Sequence, residues 1–272
     1  MMGATCRISD HPTAKSGLEC RLSGRAMIRL RYSPKWRSSV AHEIARDEIK
    51  ALVMAVDYSE ALTITAGEDG AISACHDAKR YGYRSVAVFP QFIPVVVEEL
   101  KGSDVGALVP VAFPCGGNST STKCAEAEEG LRKGASDVDM VMSLGEFKSG
   151  EYGRVADDIN AVKKVVKSCD ALLKVIIEIG VLSDDEIVTA AKLVRDCGAD
   201  FIKTCTGFGP GRATIHAIRL IKESVGDNIG LKASGGVAGL EEGVYLMRAG
   251  ASIVAQRGFF TNQLEQLSWP EV

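Results

Sequence analysis

The chain has 272 residues, of which 46% are hydrophobic and 25% charged, and it carries a formal charge of −3. That length holds one large domain or two small ones, with an ordinary globular composition. The slight acidity excludes a strongly basic nucleic-acid binder, and no run of about 18 apolar residues offers a membrane span.

The first forty residues stand apart. Arg7, Lys15, Arg21, Arg25, Arg29, Arg31, Lys35 and Arg37 face only Asp10 and Glu19 there. Such an Arg- and Ser-rich, acid-poor stretch fits an organelle transit peptide, and it fits a disordered extension as well. Residues 1–40 are therefore expected to be a basic extension and residues 41–272 the folded domain.

Beyond it, short apolar runs alternate with longer amphipathic stretches. The spacing predicts eight strands: 51–56, 85–88, 107–112, 138–142, 172–177, 201–203, 229–233 and 252–255. It predicts helices over 68–81, 92–100, 120–133, 153–167, 183–197, 214–225 and 240–249. Ser183 and Glu186 form a capping-box pattern, and Thr65 with Glu68 suggests another helix start. Gly134, Gly198 and Gly250 each fall between a helix end and a strand start, where a left-handed residue closes a helix. Eight strand-helix units predict an α/β fold, a single (β/α)₈ TIM barrel. An open, doubly wound sheet is the alternative. Its usual fingerprint is missing after the first strand, and Gly207-Phe208-Gly209-Pro210-Gly211 is GxGxG, not GxGxxG.

Eight cysteines are scattered without a CxxC pair. Reduced thiols and a cytoplasmic setting are expected, unless the extension directs the chain to an organelle. His11, His42, His76 and His216 lie too far apart to suggest a metal site.

Chemistry is carried by lysines. Lys174, Lys203 and Lys232 each lie in a short apolar run, and both intervals are 29 residues. One strand-helix unit has about that length, so the three are expected at equivalent ends of neighbouring strands, where barrels keep their active groups. Asp139 lies in a fourth such run. Clustered amines depress one another's pKa, and a neutral amine attacks carbonyls. Three cations around one acid also suit an anion. Thr206-Gly207 and Ser234-Gly235-Gly236 follow two of the lysine strands, and glycine lets backbone N–H groups approach a phosphate. A set of buried ion pairs without chemistry is the structural alternative.

These residues resemble the deoxyribose-phosphate aldolases. The similar segments are Asp137-Val138-Asp139-Met140-Val141, Phe147-Lys148-Ser149-Gly150 and Leu173-Lys174-Val175-Ile176-Ile177-Glu178, followed by Gly198 to Phe208 and Lys232-Ala233-Ser234-Gly235-Gly236-Val237. The likeness covers roughly residues 48 to 258. It implies that Lys203 forms a Schiff base, Lys232 lowers its pKa, and Asp139 moves protons through a bound water, with Lys174 near the pocket. The implied reaction is reversible cleavage of 2-deoxy-D-ribose 5-phosphate to acetaldehyde and D-glyceraldehyde 3-phosphate. No cofactor or metal is implied, and a homodimer or larger homo-oligomer is. Substrate contacts are expected from Asp57, Lys174, Thr206, Gly207, Gly235, Gly236, Arg257 and Gly258.

Departures from the family pattern are local. Tyr58-Ser59 follows Asp57 where the family has His-Thr, and Ala87 and Phe89 stand where Cys and Asn are frequent. The eighth strand ends Gln256-Arg257-Gly258 in place of a Gly-Thr-Ser-Ser loop, and no tyrosine follows Tyr245. A slow or altered aldolase, or a noncatalytic binding or scaffold barrel, are the other readings.

Overall fold

The computed structural model describes residues 44–60 and 62–271. The extension expected at residues 1–40 lies outside the described residues. Among these, eight parallel strands close into a barrel in sequence order, from the first through the eighth and back to the first. The strands are β1 (Val56–Tyr58), β2 (Ser85–Ala87), β3 (Gly106–Val111), β4 (Asp137–Val141), β5 (Leu172–Ile176), β6 (Phe201–Lys203), β7 (Gly230–Ala233) and β8 (Ile253–Gln256). The open-sheet alternative is thereby excluded.

Helix α1 (Arg46–Met54) precedes β1, and α2 (Glu68–Tyr81) and α3 (Ile93–Glu99) follow β1 and β2. Next come α4 (Thr120–Arg132), α5 (Leu144–Lys148), α6 (Tyr152–Ser168), α7 (Asp184–Asp196) and α8 (Ile215–Val225). The last two are α9 (Leu240–Arg248) and α10 (Phe259–Gln266). None of these helices is long and apolar enough to cross a membrane.

Most boundaries lie within a residue or two of expectation because the local chemistry fixes them. Ser183 and Glu186 exchange capping hydrogen bonds at the start of α7. Gly134, Gly198 and Gly250 all adopt positive φ just past a helix end. The run 51–56 departs most. It is expected as the first strand, yet all but its end is helical, with Leu52 and Val53 buried while Ala51 and Met54 are exposed. A short apolar run does not by itself distinguish helix from strand, and here α1 packs on α9. Gly243 permits that approach, since a Cβ there would lie 2.8 Å from Leu52 and from Phe260. The Thr65 cap does not form either: α2 begins after Gly67, with no side-chain cap.

Strand register decides what fills the barrel. Residues paired across parallel strands share a face, and alternate residues along a strand share it too. The pairs Asp57↔Ser85, Ala87↔Leu108, Asp139↔Lys174, Lys203↔Lys232 and Lys232↔Ile253 run around the interior. Barrels usually fill this space with branched apolar side chains. Here much of it is charged, and the main apolar core lies outside, between strands and helices. A smaller apolar cluster of Leu62, Ala87 and Leu108, joined by Phe89 and Phe113, belongs to the side of β1, β2 and β3.

Candidate active site

Asp139 is the hub. Its Oδ2 accepts hydrogen bonds from Lys203 Nζ and Lys232 Nζ, each at 2.7 Å. Asp57 Oδ2 lies 2.6 Å from Lys232 Nζ and 3.7 Å from Lys174 Nζ. Its Oδ1 accepts from Arg84 at 2.5 Å and from Ser85 Oγ at 2.7 Å. Asp137 Oδ2 accepts from Lys174 Nζ at 2.5 Å and pairs with Arg84 at 2.6 Å. Asp57, Asp137, Asp139, Lys174, Lys203 and Lys232 are all buried. Three carboxylates thus face four cations, which corrects the expected three-to-one imbalance.

The three lysines are not at equivalent heights. Lys203 and Lys232 are register partners, but Lys174 pairs with Phe201, two residues deeper than Ile176, which faces Lys203. Lys174 is fully buried, and its ammonium is held by Asp137. Lys203 lies nearest the strand ends. Its amine is also 5.9 Å from the centre of the Phe113 ring.

Environment separates the two lysines that donate hydrogen bonds to Asp139. Burial pulls Lys203 down to about 8 from its usual 10.5, the attraction of Asp139 opposes this, and the like charge of Lys232 adds to it. Desolvation is thus the larger cause, ahead of the amine-amine repulsion inferred from sequence. Burial also disfavours charged Lys232, but Asp139 and Asp57 together outweigh it and raise its pKa. Asp57 and Asp139 are held far below the carboxylate range, because their surrounding cations overcome the cost of burial. The result is one amine that titrates near neutrality among partners of fixed charge.

The loops beyond β6 and β7 meet at glycines. Gly207, Gly235 and Gly236 have φ of 82°, 95° and 66°, and a Cβ on Gly207 would stand 3.9 Å from the Gly235 Cα. Glu178, itself at φ 51°, accepts from the Thr206 backbone N–H at 3.0 Å and from Thr206 Oγ1 at 2.6 Å. The carboxylate at the end of β5 thereby fixes the β6 loop. Thr204 Oγ1 donates to the Ser234 carbonyl and accepts from the Ser234 amide, which joins the β6 and β7 ends.

Arg257 and Gly258 sit on the neighbouring loop. Gln256 Nε2 donates to the Val237 carbonyl at 3.3 Å, tying β8 to the β7 loop. The exposed Arg257 donates from Nη2 to the Leu62 carbonyl at 3.4 Å, and the Gly258 N–H donates to Glu60 Oε2 at 2.6 Å. Phe89, Phe113 and Phe208 form an aromatic row, with centroids 6.4 and 5.2 Å apart. Sequence reasoning passed over Arg84, Asp137, Glu178, Phe113 and Glu60. Asp137 could have been found, since residues i and i+2 of one strand share a face with Asp139. Arg84 precedes a strand in no telling pattern.

Residues 51–259 match the DeoC/LacD family of aldolases. The chain belongs to this family. It is 44% identical over 179 residues to the deoxyribose-phosphate aldolase of Caldanaerobacter subterraneus subsp. tengcongensis, an overlap of 65% of this chain and 78% of that protein. Its likeness to the deoxyribose-phosphate aldolase of Aciduliprofundum boonei is 38% over 205 residues, or 75% of this chain and 92% of that one. A solved tetrameric deoxyribose phosphate aldolase from Aeropyrum pernix shares the fold at a TM-score of 0.73. It is 24% identical, over 84% of this chain and 99% of that chain.

Proposed function

We propose that this protein is a class I aldolase that reversibly cleaves 2-deoxy-D-ribose 5-phosphate into acetaldehyde and D-glyceraldehyde 3-phosphate. The observation that carries the mechanism is the buried amine of Lys203, lowered to about 8 and 2.7 Å from Asp139. The amine attacks the C1 aldehyde of the open-chain sugar, and loss of water leaves an iminium. The C3 hydroxyl then loses a proton as the C2–C3 bond breaks. The bond's electron pair passes to the iminium, giving an enamine and releasing glyceraldehyde 3-phosphate. Protonation of the enamine at C2 and hydrolysis free acetaldehyde and restore the lysine. Asp139 is the proton carrier in this reading, working through water.

Lys232 remains charged beside Lys203 and favours its neutral form. Lys174 and Asp57 complete the buried ion pairs around Asp139 and Lys232. The substrate phosphate is assigned to the loops of Gly207, Gly235 and Gly236, whose left-handed backbones present N–H groups, together with the adjoining β8 loop of Arg257 and Gly258. Residues 41–272 carry the activity, residues 1–40 being an extension outside it. A cytoplasmic setting is supported by the six described cysteines, all free thiols. Assembly as a homodimer or larger homo-oligomer is inferred from kinship with the tetrameric relative.

The deciding experiment mixes the protein with deoxyribose 5-phosphate, adds borohydride and maps the adduct by mass spectrometry. A reduced adduct on Lys203 that Lys203→Ala abolishes is expected. A folded protein with no adduct would move the reading to a noncatalytic barrel.

A further inference from the structure

Barrels commonly seat phosphate on the loops after strands seven and eight and on the first turn of a short helix nearby. Helix α10 is such a helix, and it starts directly after Gly258. The N–H of Gly258 is not free for a substrate. Glu60, from the segment after β1, lays its carboxylate on it at 2.6 Å. A carboxylate is itself an anion, and charge-assisted bonds to backbone N–H groups are strong. The same segment is held a second time, by Arg257 donating to the Leu62 carbonyl at 3.4 Å. Beyond that bond, Leu62 is buried with Ala87 and Leu108 against Phe89 and Phe113. Glu60 and Leu62 are thus each tied to the β8 loop, through Gly258 and Arg257.

We infer that Glu60 is a specificity-determining residue whose carboxylate occupies the anion position at the Gly258 N–H and competes there with the substrate's phosphate. This rests on the aldolase reading for the identity of the substrate, but not for the competition itself. A phosphate arriving at Gly235 and Gly236 must displace Glu60 or bind beside its negative charge. Either course weakens selection for the phosphorylated sugar over the neutral one. Glutamine is the informative replacement, because its carbonyl still accepts from Gly258 while the charge is gone. Alanine removes both.

The test compares KM for 2-deoxyribose 5-phosphate and for 2-deoxyribose in the wild type, Glu60→Gln and Glu60→Ala. The ratio of the two KM values is expected to shift about tenfold toward the phosphorylated sugar in Glu60→Gln, the effect of one charge-assisted contact. Titration calorimetry with inorganic phosphate gives a readout that needs no catalysis, and both variants are expected to bind it more tightly than the wild type. Equal changes for both sugars would assign Glu60 a purely structural part and overturn the proposal. Unchanged or weaker phosphate binding in Glu60→Gln would overturn it as well. If neither sugar is cleaved by any form, the aldolase reading fails, and the phosphate titration still decides the role of Glu60.

Discussion

Lys203 and Lys232 share one carboxylate oxygen of Asp139, and yet their pKa values move in opposite directions. Lys203 pairs directly with one acid, Asp139, whereas Lys232 pairs with two, Asp139 and Asp57. Because the Lys203 amine must be neutral to attack, carbinolamine formation is expected to rise with pH through about 8 and then level off. The acid limb of a kcat/KM profile reports that group in the free enzyme. Lys232→Met removes the like charge and leaves to Lys203 the Asp139 oxygen that the two amines share. Both changes favour the protonated amine, so the limb is expected to move to higher pH. A loss of kcat on the order of 100-fold should accompany it. A limb that stayed in place would show that Lys232 does not tune Lys203.

Glu178 links β5 to the loop after β6 through the Thr206 amide and hydroxyl. Thr206 Oγ1 in turn accepts from the Phe208 and Gly209 amides. Replacing Thr206 by Val keeps the shape and removes three of these bonds around a buried carboxylate, a loss of about 2 kcal/mol. The β6 loop then loses its fixed place beside Gly235. A KM for deoxyribose 5-phosphate raised about tenfold is expected, with the borohydride adduct on Lys203 still forming; an unchanged KM would remove the loop from phosphate binding. At this scale the sequence was legible wherever an element carried its own boundary chemistry. Ser183 and Glu186 begin α7, and Gly198 ends it just before β6. The run 51–56 lacked such marks, and only packing of Leu52 against Gly243 and Phe260 settles it as helix. Asp139, Lys203 and Lys232 stood out as charges in apolar runs. Arg84 and Glu60 did not, because their partners Asp57, Asp137 and Gly258 become neighbours only through tertiary contacts, for Glu60 and Gly258 across the closure of β1 on β8.

The charge cluster spans the barrel. Its members come from β1, β4, β5, β6 and β7 and from the residue before β2, so the ion pairs cross between strands far apart in sequence. Removing one partner of a buried pair leaves the other charge stranded, at a cost of about 3 kcal/mol. Asp57→Asn leaves Lys232 and Arg84 short of a carboxylate and is expected to lower the unfolding free energy by that amount at pH 7. The pH dependence separates this from a packing defect. The folded-state pKa of Asp57 is depressed, so its stabilisation is fully present above the unfolded value near 3.9 and is lost as pH falls toward the folded one. Urea titrations from pH 7 down to pH 2 should therefore show the wild type and Asp57→Asn converging on the acid side. A gap that stayed constant to pH 2 would mean that the ionised carboxylate is not what holds β1 to the rest of the barrel.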